Sequence, residues 1–289
     1  MLKNKNLQIL YALPAVCLFL FVFIIPSFFT LLFSFTEWQR FKVIGFPTLK
    51  HFARLLYDPV IAKAFYHNFL YIFFTIFLEA GIGLVLAAIT VRLKRSLLLR
   101  SLIFSPVILP SIVVGVLWQQ MYSKEAGLLN AFLEAFGFEP ITWLGVPYTV
   151  FSVSLVSGWI WAGFFMAIFY AGLIRIPQSI RESAKLDGAT ERQIFFNIEI
   201  PLIRNLILMA LLIVTTGGFK SFDLFKILLR RDPLESGIVV PTLLVRTFFE
   251  NRDIGYGSVI SITLTIVVLL ILLAIRVLQK KVVGDIEEY

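Results

Sequence analysis

Residues 150–174 read Val-Phe-Ser-Val-Ser-Leu-Val-Ser-Gly-Trp-Ile-Trp-Ala-Gly-Phe-Phe-Met-Ala-Ile-Phe-Tyr-Ala-Gly-Leu-Ile, without one charged side chain. A helix that crosses the hydrocarbon of a bilayer needs about 20 mainly apolar residues, and this run meets that length. Five other stretches read the same way, at residues 10–35, 68–91, 97–121, 202–219 and 259–277. The expectation is an all-α polytopic membrane protein with six transmembrane helices and a single membrane domain over residues 1–289. Pro14 and Pro26 are expected to kink the first span, because proline removes a helix hydrogen bond and crowds the turn before it. That span is too long for a signal-peptide core of roughly 7–15 residues and lacks an A-x-A-like cleavage site. The fifth span carries Thr215, Thr216, Gly217 and Gly218 and turns polar at Lys220 and Asp223.

Composition agrees. The chain is 59% hydrophobic and 15% charged, with a mean hydropathy of +0.89, against about 45–50% and about 25% for soluble domains. The net charge of +8 sits in short clusters between apolar runs, which suits membrane topology rather than a nucleic-acid face. Among the expected inside segments, 14 Lys and Arg fall in short stretches, and 12 fall in the longer segments opposite. The denser side places both termini in the cytoplasm of a multi-pass plasma membrane protein. One cysteine, Cys17, allows no internal disulfide, and two histidines, His51 and His67, cannot form an HExxH zinc site. Gly217-Gly218-Phe219-Lys220-Ser221 has the wrong order for a P-loop, and no G-x-S-x-G occurs. Catalytic and cofactor-bearing chemistry is therefore not expected in this chain.

Small residues let membrane helices approach closely. Gly163, Ala167 and Ala171 lie on one face of the fourth span, and Gly83 and Ala87 on one face of the second. Packing within the chain is the favoured role, and a subunit interface is the sharper alternative.

The longest inside loop, residues 175–201, follows directly from the opening run. Pro177 suits a first helical turn, and good helix formers extend from Gln178 to Asp187. Gly188 supplies the left-handed residue that ends many helices. Thr190-Glu191-Arg192-Gln193 is a capping box that starts a second helix, with Ile194 and Ile198 one above the other on its face. The predicted shape is a helix, a glycine corner and a helix, with Arg181, Glu182, Lys185 and Arg192 beside its apolar residues.

Glu182-Ser183-Ala184, Gly188 and Ile198-Glu199-Ile200-Pro201, with three and nine residues between, resemble the EAA motif of ABC importer permeases. Asp187-Gly188-Ala189 and Phe195 resemble its carbohydrate branch, the family of maltose and glycerol-phosphate importers. Ser183 stands where that motif has Ala, and Ile200 where it has Leu. Gly127-Leu128-Leu129-Asn130, Thr142-Trp143-Leu144 and Ala171–Pro177 are similar to the same family, so the resemblance runs from about residue 66 onward. The stretch 229–236 departs from it, lacking the family's Thr-Gly-Gly-Pro.

The resemblance implies one of two permease subunits on a dimer of separate ATPases, with ATP and Mg2+ bound by those partners and none by this chain. The coupling residues it implies are Glu182, Ser183, Ala184, Asp187, Gly188, Ala189, Ile198 and Pro201. It implies an extracellular solute-binding protein and, for this branch, a sugar or oligosaccharide. Candidates for the solute path are the polar and aromatic residues of the spans: Gln119, Gln120, Trp118, Trp159, Trp161, Thr215 and Thr216. Trp118 with Gln119 and Gln120 also fits an interfacial position. Glu79, a further candidate for the solute path, stands inside the second span, where a carboxylate is costly and marks function by default. It is either satisfied against a neighbouring helix or partner subunit, or a proton carrier that would make the chain a secondary transporter. A permease for a polyol phosphate would need Arg or Lys in its cavity, and the spans hold almost none.

Overall fold

The computed structural model describes residues 5–39, 42–93, 96–230 and 236–283. Lys3, Arg40, Lys94, Arg95 and Arg231 of the topology tally, and residues 231–235 of the departing stretch 229–236, lie outside the described residues. The described chain is helical apart from one short antiparallel hairpin, Glu37–Gln39 with Lys42–Gly45. Among the described residues, four helices are long and apolar enough to cross a membrane: Tyr11–Phe33, Pro59–Arg92, Thr149–Leu173 and Ile254–Val277. Two bent pairs pass the same test together, which gives up to six spans if each pair counts as one.

The bends have local causes. Helix Leu97–Ile108 meets helix Ser111–Met121 at 98°. Pro110 has no N–H and drives the residue before it out of the helical region; Leu109 accordingly sits at φ −73°, ψ 134°. The third apolar run is therefore not one straight helix. Helix Glu191–Leu202 meets Arg204–Lys220 at 72°, across Ile203 at φ −99°, ψ 11°. In the first span the α-helix runs through Pro14 and widens into a π-helical turn, Leu20–Ile24, just ahead of Pro26.

The chain forms two compact units. The smaller, Met1–Ile61 with Leu243–Val267, holds the first span and the hairpin. Its polar end is fastened by Arg54, which pairs with Asp253 at 2.9 Å and lies 3.9 Å above the Tyr256 ring. The Tyr256 hydroxyl donates to Asp58 at 2.6 Å. No residue in the apolar window of the first span is buried.

The larger unit, Ala62–Thr242 with Val268–Tyr289, is organised around helix Thr149–Leu173, the most buried span. One apolar cluster surrounds its first half through Val153, Val156 and Ile160, and a second its other half through Phe165, Met166 and Phe169. The second span packs closely on it. A Cβ on Gly83 would lie 2.7 Å from Phe165 Cβ, and Ala87 is fully buried. Gly163 admits the backbone of Ile103 and Phe104, whereas Ala167 and Ala171 remain exposed. The small residues at 83, 87 and 163 therefore serve contacts within the chain.

Asn130 explains its own motif. Its amide nitrogen donates to the carbonyls of Lys124 and Ile141, and its oxygen accepts from Ile141 N–H and Trp143 Nε1 at 3.0 and 2.9 Å. One buried side chain thus closes the segment between the third and fourth spans. Asn68 does the same elsewhere, donating to Gly218 O and accepting from Val240 N–H.

Candidate functional site

The elbow after the fourth span forms as helix Gln178–Leu186, a corner, helix Glu191–Ile194, a π-helical turn Phe195–Glu199 and a last turn Ile200–Leu202. Pro177 takes the N-cap position, one residue before the expected first turn. At the corner, Ala189 N–H donates to Ala184 O at 2.9 Å and Gly188 N–H to Lys185 O at 3.0 Å. This pair is a Schellman motif, and it needs a left-handed residue at position 188; Gly188 has φ +82°. A Cβ there would meet nothing within 4 Å, so backbone conformation alone selects glycine and the space above it is open. Thr190 then caps the next helix in a full capping box with Gln193, whose side chain accepts from Thr190 N–H at 2.8 Å.

Ala184 is buried under the corner, while Glu182, Ser183, Asp187 and Gly188 are exposed and Leu186 is 89% exposed. Ser179, Ile180, Ser183, Ala184, Asp187 and Ile198 line a shallow open depression on the elbow. Ala189 is half-buried, and Pro201 is exposed in the last turn. Glu182 accepts from Gln178 Nε2 at 2.7 Å and makes no tie to the spans.

The side chain that ties the elbow down is Glu199, which is not among the coupling residues that the resemblance implies. It is wholly buried. One oxygen accepts from Arg181 Nε at 2.7 Å, and the other from Arg92 Nη2 at 2.9 Å. Arg181 also donates to Leu173 O at 2.8 Å, and Arg92 to Ala88 O at 2.8 Å and Glu191 at 3.2 Å. Lys185 pairs with Glu191 at 2.6 Å. A buried carboxylate with a guanidinium on each oxygen is satisfied; losing a partner from such a set costs about 3–5 kcal/mol. A signal existed in the sequence: a carboxylate between two isoleucines in Ile198-Glu199-Ile200-Pro201 needs a cation wherever that segment is buried.

Deeper in the larger unit lies a cavity of about 470 Å³, lined from the second, fourth and fifth spans and from residues 107–111 and 220–224. Of the expected path residues, Glu79 and Trp161 line it. Glu79 sits in a π-helical turn, Ile76–Gly81, and accepts from Ser157 Oγ at 2.6 Å. Tyr71 donates to Ser157 at 2.9 Å, and Ser221 to Tyr71 at 3.3 Å. A hydroxyl chain thus runs from residue 221 to the carboxylate at 79. Tyr71, Ser157 and Ser221 line the cavity too and carry no signal in the sequence, where isolated hydroxyls in apolar runs have no periodicity; Lys220 and Asp223, at the polar end of the fifth span, also line it.

The other expected path residues lie elsewhere. Gln119 donates to Ile227 O at 2.6 Å and Leu228 O at 3.2 Å, which fixes the segment after the fifth span. Gln120 is exposed, Thr215 is buried away from the lining, and Thr216 bonds Leu212 O in its own helix. Trp118 and Trp159 stack edge to face at 5.8 Å beside a separate apolar crevice.

A helical bundle with a mainly apolar cavity that holds a few polar side chains, and with an exposed elbow, has the layout of a membrane permease. Residues 79–286 match the family described as binding-protein-dependent transport system inner membrane component. The chain is 34% identical over 287 residues, 96% of each chain, to the probable ABC transporter permease protein YurN of Bacillus subtilis (strain 168). It is 28% identical over 274 residues to the arabinooligosaccharides transport system permease protein AraP of the same organism, covering 93% of this chain and 87% of that one. Its fold matches a chain of a bacterial alginate ABC transporter, crystallised with an alginate pentasaccharide-bound periplasmic protein, with a TM-score of 0.83, 22% identity and coverage of 97% and 96%. The chain belongs to the family of inner membrane components of binding-protein-dependent transport systems, a family of transport subunits and not of enzymes.

Proposed function

We propose that this chain is one of two membrane-spanning subunits of an ATP-driven importer for a sugar or oligosaccharide. The observation that carries the reading is the elbow: a corner closed by a Schellman motif and a capping box, with an exposed tip and open space above Gly188. That shape suits insertion into a cleft of a separate ATPase, which would bind ATP and Mg2+. Glu182, Ser183, Asp187, Gly188 and Leu186 face such a partner, while Ala184, Ala189, Ile198 and Pro201 shape the corner and its exit. In this reading the elbow and both termini are cytoplasmic, the chain spans the plasma membrane, and a solute-binding protein docks on the other side.

The cavity with Tyr71, Glu79, Ser157 and Trp161 would be this subunit's half of the solute path. Hydroxyls, a carboxylate and an aromatic face suit a neutral polyhydroxylated solute. Its ionisable lining includes Lys220 beside Asp223 and Glu79, which gives no net positive field for a phosphorylated polyol. The sugar relatives point the same way.

The test is affinity purification of the tagged chain from its native membrane in mild detergent, with the co-purifying proteins identified by mass spectrometry. Recovery of a second multi-span permease and of an ATPase carrying a P-loop is expected. Recovery of the chain alone, together with uptake that follows the proton gradient and not ATP, would overturn the reading and make Glu79 a proton carrier.

A further inference from the structure

The elbow is joined by the backbone to two spans, the fourth through Arg175–Pro177 and the fifth through Ile203. The second span has no such link, yet it carries Tyr71 and Glu79 of the cavity. Its end nearest the elbow carries Arg92, and Arg92 holds Glu199. Glu199 also holds Arg181, whose guanidinium is anchored on the last carbonyl of the fourth-span helix, Leu173 O. Two helices that line the cavity, the second and fourth spans, therefore meet the elbow at one buried carboxylate.

We infer that Glu199, with Arg92 and Arg181, is the joint that makes the elbow and the near ends of the second and fourth spans move as one body. Glu199 is thus a positioning residue for transport, acting on the cavity through Arg92. This rests on the reading of the chain as an ATP-driven permease. A mobile elbow can drag a helix only if their link is stiffer than the motion it transmits. The link here is charge-assisted on both oxygens; its carboxylate is fully buried while Arg181 and Arg92 are 22% and 33% exposed, so salt screens it less than a fully exposed pair, and its π-helical turn places Glu199 between Ile198 and Ile200. Glu182, by contrast, is exposed and bonds only within its own helix, which leaves it for the partner.

The test uses spin labels on Ile89→Cys and Ser179→Cys, both exposed, in a Cys17→Ala background. The distance between them is read by double electron–electron resonance in the purified complex, nucleotide-free and trapped with ATP, Mg2+ and vanadate. The expected result is one narrow distance that is the same in both states. In Glu199→Gln the distribution should broaden, and trapping should shift it. Vanadate-sensitive ATP hydrolysis should persist in that variant, since the elbow tip is untouched. A wild-type distance that changes between the two states would overturn the joint, and so would a Glu199→Gln distribution as narrow as wild type. If no ATPase co-purifies, the importer reading fails, but the wild-type and Glu199→Gln widths in the chain alone still decide the joint. If Glu199→Gln does not accumulate, the two-state wild-type measurement decides it.

Discussion

Among the described residues, two carboxylates are buried in the same way and satisfied differently. Glu79 and Glu199 each sit in a π-helical turn inside an apolar segment. Glu199 is clamped by two arginines at 2.7 and 2.9 Å. Glu79 has a single serine hydroxyl at 2.6 Å and faces a cavity. A π-turn carries one extra residue, which re-aims a side chain without ending the helix, and such turns recur at functional positions. The same device thus serves two ends: a fully compensated charge that holds elements together, and a sparsely compensated one left open to what enters the cavity. The contrast predicts that Glu199 substitutions damage stability first, and Glu79 substitutions damage transport first.

The largest expected effect is Glu199→Ala. It removes the buried carboxylate from two partly exposed arginines that keep Ala88 O, Glu191 and Leu173 O, and should cost about 3 kcal/mol, the low end for a broken buried pair, read as a lowered thermal midpoint of the detergent-purified chain. A midpoint equal to wild type would break the comparison. Ser157→Ala comes next. It leaves Glu79 and Tyr71 without their shared partner and should cost about 1–3 kcal/mol, seen as faster thermal inactivation than for a Ser154→Ala control, whose hydroxyl bonds only its own helix. Gly188→Val forces a branched side chain to φ +82° and should cost about 1–2 kcal/mol or more locally. It is expected to abolish uptake at unchanged membrane levels; normal uptake at normal expression would show that the corner tolerates a side chain. The smallest effect on stability belongs to Glu79→Gln, under about 1 kcal/mol because the amide can still accept from Ser157. Its transport rate should nevertheless fall several-fold, and a rate equal to wild type would remove Glu79 from the solute path.

The elbow was legible almost residue by residue, because its signals are local. Gly188 declares a left-handed corner, and the Thr190–Gln193 spacing declares a capping box; both formed. Four of the six apolar runs were equally legible as spans, since hydrocarbon imposes length and composition. The 98° break in the third run was also written in the sequence, at Pro106 and Pro110, but a window average of hydropathy smooths over two prolines. What stayed hidden was long-range. Arg92 and Glu199 are 107 residues apart, and Arg92 read as one of a basic cluster that sets topology. Gln119 looked like a pore residue and proved to hold two backbone carbonyls, because polarity inside a span does not reveal which face it takes. Thr215 and Thr216 lie off the cavity lining for the same reason, while Gly217 and Gly218 beside them line it.

The closed corner has a consequence for association. At residues 184–193 the hydrogen bonds that a helix end normally leaves open are already made within the chain. A partner meeting this tip has little backbone to order and supplies only side-chain contacts, so little of the docking free energy is spent on entropy. Capture and release can then be fast while each individual contact stays weak, which suits the docking on a separate ATPase proposed above.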